Sequence, residues 1–423
     1  MKNLAHGWAT LSVSLFTLLS GCGRADSPAT SSFPAWAASR QFTSGGRAYS
    51  PADITRMELS LNFDVATAQA YGEGTLEFRA TGDGYAYFLS DPRLEETFFE
   101  GAPGTPVALN SVRDPSNENT LRVINAPMEA GTSQRLHFRY RMPAEEVTFR
   151  AQGVGFVTSM GDLSRGNFLE AYAPTGFEDD AYSLSLRLAV LNAGVDHQFF
   201  ANGEITTEGR NAWHVDFPDY FSVSSFYWHV TDQNLPTTSF VYQAINGPIP
   251  ITVYSATQAK VDEAVRQLPG LFDELETTYG PYTHNKFVAY ISGAGGMEHA
   301  GATITGIDSL DHELLHSWFA RGVVPADGRS GWIDEAIASW RDYGYRRSGS
   351  LLARKPTNLG RFSAFHRFTP RNCYTDGRAF LAELDAFVAD QGGLKPLLKE
   401  FYRRYQRKAV RTRVWRGCEF WRG

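Results

Sequence analysis

The 423-residue sequence predicts a multidomain α+β protein in which an all-β region precedes a mainly helical region. Hydrophobic residues alternate with polar residues from Met57 to Val65, which is the period of a half-buried strand. From about Ser255 the hydrophobic spacing becomes helical, and it remains so to about Tyr405. The length predicts two or three domains, and with 43% hydrophobic residues the chain can bury a sizeable core.

Residues 1–21 have the pattern of a bacterial lipoprotein signal peptide. Lys2 gives a charged start, residues 9–19 are apolar, and the sequence LSGC ends at Cys22, the predicted site of lipidation. A plain secretory signal with an incidental cysteine is the alternative. In either case the protein leaves the cytoplasm, and we expect it in the bacterial cell envelope, on the periplasmic side or the cell surface. Residues 22–50 are rich in Ser, Ala, Gly and Pro and are predicted to be a flexible tether.

Residues 51–248 are predicted to form the N-terminal β domain. The alternation seen after Met57 returns at Leu136 to Tyr140 and at Leu184 to Leu188, and clusters of Gly, Asn, Asp and Pro separate the runs. Single histidines in these strands are expected to have core or surface roles: His137, His197, His214 and His229. We interpret this region as scaffold and as one wall of a substrate site.

Residues 249–423 are predicted to form the second domain. Ser255 and Gln258 resemble a capping box at the start of a helix that Gly280 and Pro281 stop. A short strand from Lys286 to Ser292 follows, and later segments with helical spacing extend to about Tyr405.

The sequence DHELLHSWF contains the motif HExxH, followed after eighteen residues by a glutamate. If Ser309 to Phe319 is helical, His312 and His316 lie on one face and reach one point. Two histidines and a third protein ligand with one open position are typical of a catalytic zinc, and Glu335 in the segment WIDEAIASW supplies that third ligand. Glu313 then leans over the open position as general base. The sequence therefore predicts one Zn²⁺ per chain.

A second informative stretch, GAGGMEHAGAT, precedes the predicted zinc helix. Gly295 and Gly296 allow the backbone to approach a ligand closely, and Glu298 places a carboxylate beside them. In a peptidase, the cation next to a scissile bond is the N-terminal ammonium of the peptide. A glycine turn with an exposed glutamate is the alternative interpretation.

With HELLHSWF, WIDEA, GGMEH and YTDG in this order, the chain resembles the aminopeptidase N family of gluzincin zinc metallopeptidases. The resemblance implies a β domain followed by a thermolysin-like catalytic domain, without the large C-terminal helical domain of many relatives. It implies that the zinc ligands are His312, His316 and Glu335 and that Glu313 is the base. It also implies that Gly295, Gly296, Met297 and Glu298 bind substrate, with Glu298 on the N-terminal amine. Tyr374 becomes the stabiliser of the oxyanion.

The chain departs from the family motifs at four points. His299 replaces the Asn of GxMEN, Asp334 replaces the Asn before the third ligand, and Asp376 replaces the Lys of YxKG. The interval from Glu335 to Tyr374 is also shorter than is usual in the family. None of these changes removes a predicted zinc ligand or the predicted base. The related glycyl aminopeptidase family has GGLEH at this place but a more distant third ligand, and membership of that family is the alternative among enzymes.

The sequence thus predicts a zinc aminopeptidase that acts outside the cytoplasm on peptides with a free N-terminus and is held at the membrane by its N-terminal lipid. An endopeptidase with an open cleft and a non-catalytic lipoprotein that uses a peptidase fold for binding are the alternatives. The net charge is only −6 and no basic stripe precedes the last thirty or so residues, so nucleic acid is not an expected partner.

Overall fold

The computed structural model describes residues 34–163, 167–293, 295–346, 358–365 and 367–410. The predicted signal peptide and Cys22 lie outside these ranges. Among the described helices, none combines the length and the apolar character needed to span a membrane.

The first region is built almost entirely from strands. Their bounds are β1 Phe42–Ser44, β2 Arg47–Asp64, β3 Gln69–Ala80, β4 Tyr85–Leu89, β5 Leu94–Phe99, β6 Leu109–Arg113, β7 Thr120–Ile124, β8 Ser133–Arg141, β9 Thr148–Phe149, β10 Val154–Val157, β11 Ser183–Leu191, β12 Gln198–Ala201, β13 Glu204–Gly209, β14 Ala212–Asp216 and β15 Trp228–Thr231. The main path of an eleven-stranded sheet runs β13-β14-β11-β2-β3-β8-β5, and a four-stranded sheet has the order β12-β15-β10-β9. The strands predicted from alternation are all present, because each buries one face of its pleat in a shared core.

The prediction of a flexible tether is wrong for residues 34–50. A short helix, α1, covers Ala35–Ala38, and β1 pairs with the start of β2. Arg40 is fully buried and donates to the carbonyl oxygens of Ala364 and Ala326 in the second region. The composition of this segment does not indicate its ordered structure, because its contacts are with residues far away in the sequence.

The second region combines helices with a sheet. Its helices are α2 Gln258–Tyr279, α3 Leu310–Leu315, α4 Ile333–Asp342, α5 Asp376–Phe387 and α6 Leu394–Tyr405. Its strands are β16 Thr237–Ala244, β17 Gly247–Ser255, β18 Phe287–Ile291, β19 Gly296–His299, β20 Ala302–Thr305, β21 Val323–Pro325 and β22 Lys408–Val410. Five of them form a mixed sheet in the order β16-β17-β18-β20-β19, which adds a substantial β layer to the region predicted to be mainly helical.

The boundary predicted between residues 248 and 249 is wrong, because β16 and β17 belong to the five-stranded sheet of the second region. The change of sheet therefore lies before Thr237. The two regions meet through a cluster in which Phe200 and Tyr227 of the first region pack with Tyr254 and Val288 of the second. Hydrophobic and polar residues alternate in the strands on both sides of this boundary, so periodicity alone does not reveal which sheet a strand joins.

Helix α2 begins and ends close to its predicted bounds. Gly280 takes the C-cap position with φ 110°, a backbone conformation that favours glycine. The predicted capping box is wrong, since Thr257 is the N-cap residue and the hydroxyl of Ser255 donates to the carbonyl of Ile291 instead. Helix α2 packs on the sheet and against α6, and this layer supports the site described next.

Candidate active site

The helix that carries HExxH is shorter than the sequence predicts. Helix α3 ends at Leu315, and His316 is its C-cap residue. His316 nevertheless has helical backbone angles, φ −60° and ψ −17°, so the relation between His312 and His316 is preserved. The segment beyond turns away, with Ala320 at φ 147°. The centroids of the two imidazole rings lie 4.9 Å apart.

Each histidine is oriented by a hydrogen bond from Nδ1. His312 Nδ1 donates to Oδ2 of Asp342 at 2.6 Å, and His316 Nδ1 donates to the carbonyl of Phe319 at 3.0 Å. These bonds occupy Nδ1 and leave both Nε2 atoms facing Glu335 of helix α4. His312 Nε2 lies 3.0 Å and His316 Nε2 lies 3.5 Å from Oε2 of Glu335.

The three predicted ligands therefore converge. One ligand atom from each of His312, His316 and Glu335 lies within 4.8 Å of the other two. His316 Nε2 is buried and makes no hydrogen bond to any described residue, which is what a lone pair directed at a metal requires. The donor set of two imidazoles and one carboxylate fits a catalytic zinc. None of the four histidines predicted to be scaffold belongs to a comparable group among the described residues.

The electrostatics at the ligands favour a cation. Burial alone would lower the pKa of His312, but hydrogen bonds to Asp342 and Glu335 outweigh it and raise this pKa to about 11. Burial would also lower the pKa of His316, but the charges of Glu335 and Glu298 outweigh it and raise this pKa to about 10. For Glu335, burial is outweighed by His316 and His312, which hold its pKa well below the usual range. The carboxylates that attract protons here also attract a divalent cation.

Glu313 lies in a protected position beside the ligands. Its carboxylate is buried, and its Oε2 has no hydrogen-bond partner among the described residues. Burial raises the pKa of Glu313 to about 8. A Cβ atom at residue 296 would overlap this carboxylate, so a larger residue there would displace the side chain of Glu313, and the glycine predicted to allow close approach to a ligand lies against Glu313 itself.

Glu298 lies on strand β19, on the same face as Gly296. Gly295 precedes the strand with φ 76° and is exposed, as is Gly296. Met297 and His299 point to the opposite face, where Met297 packs against the core of the first region. The prediction of substrate contact by Met297 therefore rests on its main chain.

Glu298 is not the exposed glutamate of the alternative interpretation, because it is 8% exposed. Arg321 Nη2 donates to Oε1 of Glu298 at 2.9 Å. Burial would raise the pKa of Glu298, but the charge of Arg321 and other nearby positive groups lowers it.

Tyr374 reaches the site from a 3₁₀ helix, Arg371–Tyr374. Its hydroxyl donates to Oε1 of Glu335 at 2.7 Å, and its ring lies nearly parallel to that of His312 with the centroids 6.4 Å apart. The short interval from Glu335 is thus compatible with a place in the site. The hydroxyl orients the third predicted ligand, and its role at an oxyanion stays a prediction.

A buried cluster of charges surrounds Arg367. Its Nη2 donates to Asp334 Oδ2 at 2.7 Å and lies 3.7 Å from Glu298 Oε1. Asp162 and Glu178 of the first region each approach the guanidinium to 3.9 Å. Glu298, His316 and Asp334 are also close enough to hold a metal, but the guanidinium of Arg367 already compensates Asp334. Asp334, which stands where the family motif has Asn, is therefore paired with a positive charge.

Sequence reasoning missed three residues that organise this site. Asp342 lies seven residues after Glu335 on α4, so helical periodicity places it on the same face and offers a usable signal. Arg321 follows the end of α3, and Arg367 comes from the segment before α5. Neither arginine has a local pattern that relates it to Glu298.

No protein-family model and no curated protein matches this chain. Solved structures match the chain in fold. A variant of a two-domain M1 zinc metallopeptidase bound to L-tryptophan is 17% identical to this chain, with a TM-score of 0.60, and the match covers 85% of this chain and 89% of that one. The M1 zinc metallopeptidase from Deinococcus radiodurans is 16% identical with a TM-score of 0.58, covering 85% and 88%. A variant from the same organism bound to the substrate Tyr-Ser-Ala is 18% identical, also with a TM-score of 0.58 and coverage of 85% and 88%. The chain therefore has the fold of the two-domain M1 zinc metallopeptidases.

Proposed function

We propose that this protein is a zinc-dependent aminopeptidase that removes N-terminal residues from peptides. The observation that carries the proposal is the convergence of His312, His316 and Glu335, with each imidazole oriented through Nδ1. The likeness in fold to zinc metallopeptidases, one of them bound to a tripeptide, supports the same class of substrate. The metal-site helix, the following glutamate helix and the adjoining sheet support a thermolysin-like second domain.

His312, His316 and Glu335 would hold the zinc ion. Zinc bound there supplies Lewis-acid activation of water and of the scissile carbonyl. Glu313 takes the proton of the attacking water and passes it to the leaving amine, and its burial beside Gly296 excludes bulk water from that transfer. Tyr374 keeps Glu335 oriented and lies close enough to contribute a donor to the developing oxyanion.

Glu298 binds the α-ammonium group of the substrate. The arginines approach its Oε1, and no described residue donates a hydrogen bond to its Oε2. One carboxylate oxygen is therefore fixed and the other is available to a cation. This division of roles favours an enzyme that requires a free N-terminus over an endopeptidase.

The test is hydrolysis of a panel of aminoacyl-coumarin amides by the zinc-loaded protein, with each substrate offered with a free and with an N-acetylated amine. We expect cleavage of the free form only, loss of cleavage with a chelator, and recovery with zinc. Equal cleavage of the N-acetylated forms would exclude the aminopeptidase assignment. Absence of cleavage together with absence of bound zinc would favour a binding protein.

We also propose that Cys22 is acylated and that the enzyme is held at the membrane of the bacterial cell envelope. The support is the sequence LSGC after an apolar segment. Metabolic labelling with a fatty acid is expected to mark the wild-type chain and not the Cys22→Ala variant. Equal labelling of both would refute acylation at this residue.

A further inference from the structure

Arg321 makes two kinds of contact with Glu298. Its Nη2 donates to the side-chain oxygen Oε1 at 2.9 Å, and its Nε donates to the main-chain carbonyl of the same residue at 3.0 Å. The third nitrogen, Nη1, donates to the hydroxyl of Ser224 in the first region. The side chain of Arg321 is fully buried, so solvent does not compete for these contacts.

These contacts constrain the conformation of Glu298. One planar guanidinium binds both ends of the same residue, so the glutamate side chain cannot rotate without breaking a charge-assisted hydrogen bond. Ser224 in turn donates to Glu178 at 2.7 Å, which fixes the position of the hydroxyl that Arg321 uses. Arg367 is a weaker neighbour of Glu298, since its Nη2 is 3.7 Å from Oε1 and its hydrogen bond goes to Asp334.

Arg321 also balances the charge of Glu298. A carboxylate that is only 8% exposed loses most of its hydration, and the guanidinium 2.9 Å from Oε1 compensates this loss. Arg321 therefore stabilises the carboxylate and directs it at the same time.

We propose that Arg321 is a positioning residue for substrate binding, which holds Oε1 of Glu298 so that Oε2 receives the N-terminal ammonium group. The inference rests on the proposed aminopeptidase function and adds to it a residue outside the motifs HExxH, WIDEA, GGMEH and YTDG. The side-chain hydrogen bonds of Arg321 go to Glu298 and Ser224, and only its backbone N–H contacts a predicted metal ligand, by donating to the carbonyl of His316 at 2.9 Å.

The experiment compares Arg321→Gln, Arg321→Lys and the control Arg40→Gln. Arg40 is a matched control because it is also fully buried and also pairs with a carboxylate, Asp179, and with main-chain carbonyls. For each zinc-loaded variant we would measure kcat and KM on an aminoacyl-coumarin amide and on its analogue that lacks the α-amine. For the same variants we would also measure the zinc content, the melting temperature and the Kd for an amino acid amide.

Arg321→Gln is expected to raise KM for the free-amine substrate about 10- to 100-fold while kcat changes little, because a charged hydrogen bond that serves binding is lost. The preference for the free amine over the analogue without it is expected to fall by a similar factor, with zinc content unchanged. Arg321→Lys restores part of the preference, since the charge remains but the second contact is lost. Arg40→Gln lowers the melting temperature and leaves both KM and the preference unchanged.

The proposal is overturned if Arg321→Gln lowers the melting temperature as Arg40→Gln does and leaves KM, Kd and the preference for the free amine at their wild-type values. If Arg321→Gln does not fold, Arg321→Lys and Ser224→Ala are judged by the same criterion. A wild-type protein that binds the amino acid amide but cleaves no aminoacyl substrate refutes the aminopeptidase function, and the Kd of the variants still decides the role of Arg321. If the wild type binds no amine at all, both proposals fail.

Discussion

The predicted zinc ligands and the charges around Glu298 form two neighbouring parts of one site, but the chain assembles them differently. His312, His316 and Glu335 come from two helices close in sequence. The cluster around Glu298 draws Arg321 and Arg367 from separate segments, and it also includes residues of the first region. The first part can therefore be found from spacing, whereas the second is visible only after the chain has folded. If the two parts also differ in function, variants of the first part should alter the chemistry, whereas variants of the second should alter the balance of buried charge.

The largest effect is expected from Glu313→Gln. Loss of the general base should lower kcat by about 10²- to 10⁴-fold, because the attacking water no longer has a positioned proton acceptor. Zinc content and KM should change little, since the ligand atoms are intact. Steady-state kinetics on an aminoacyl-coumarin amide and metal analysis of the same sample check both statements. Substantial residual activity would remove Glu313 from the chemistry.

The second prediction concerns the buried pair of Arg367 and Asp334. Arg367→Gln should destabilise the protein by about 3–5 kcal/mol, because Asp334 is left buried without its nearest positive partner. The double variant Asp334→Asn with Arg367→Gln should recover part of this loss, since Asp334 then carries no unpaired charge, whereas Asp162 and Glu178 still lack the guanidinium. Denaturant unfolding of the zinc-loaded proteins measures the free energies of unfolding.

A control for this pair is the exposed pair of Arg187 and Glu208, whose side chains are 61% and 38% exposed. Arg187→Gln should change the free energy of unfolding by no more than about 0.5 kcal/mol. If Arg367→Gln behaves like Arg187→Gln, the buried cluster does not hold charge as described.

Asp342 shares a property with each part of the site. Like the arginines it is a charged residue outside the motifs, and it accepts a hydrogen bond from the predicted zinc ligand His312. Asp342→Asn should weaken zinc binding about 10- to 100-fold, because Nδ1 of His312 loses the carboxylate that orients its ring. Competition with a chromophoric chelator measures the affinity without reference to activity. Unchanged zinc affinity would mean that the 2.6 Å contact has no functional consequence.

The ligands and the base could be predicted because HExxH specifies its own geometry wherever the backbone is helical, and His316 keeps that backbone even as the C-cap residue. Glu298 could be proposed from its glycines, but its environment could not. Arg321 and Arg367 reach it through tertiary contacts that follow no period. The same limit explains the wrong domain boundary at residue 248 and the wrong prediction of a tether, where Arg40 binds carbonyls hundreds of residues away. Asp342 was within reach, since a helical face contains it together with Glu335.

A prediction of pH dependence concerns Glu170, which lies at the boundary of the two regions and belongs to neither part of the site. Its Oε1 accepts from the backbone N–H of Phe168, and its Oε2 is buried with no partner among the described residues. It lines a cavity of about 30 Å³ together with Arg40, Glu178 and Arg367. Burial raises the pKa of Glu170 from 4.5 to about 8.

Between these two pKa values the folded protein binds the proton that the unfolded chain releases, so the free energy of unfolding should fall as the pH rises from about 4.5 to about 8. The Glu170→Gln variant has no proton to lose at this position and should show a flatter dependence over the same range. Urea unfolding of the two zinc-loaded proteins at matched pH values isolates this contribution, because the pH dependence of zinc binding is common to both. Parallel curves would mean that Glu170 is ionised in the folded state, with its charge balanced by Arg40 and Arg367, and the buried charge cluster would then extend across the whole boundary between the two regions.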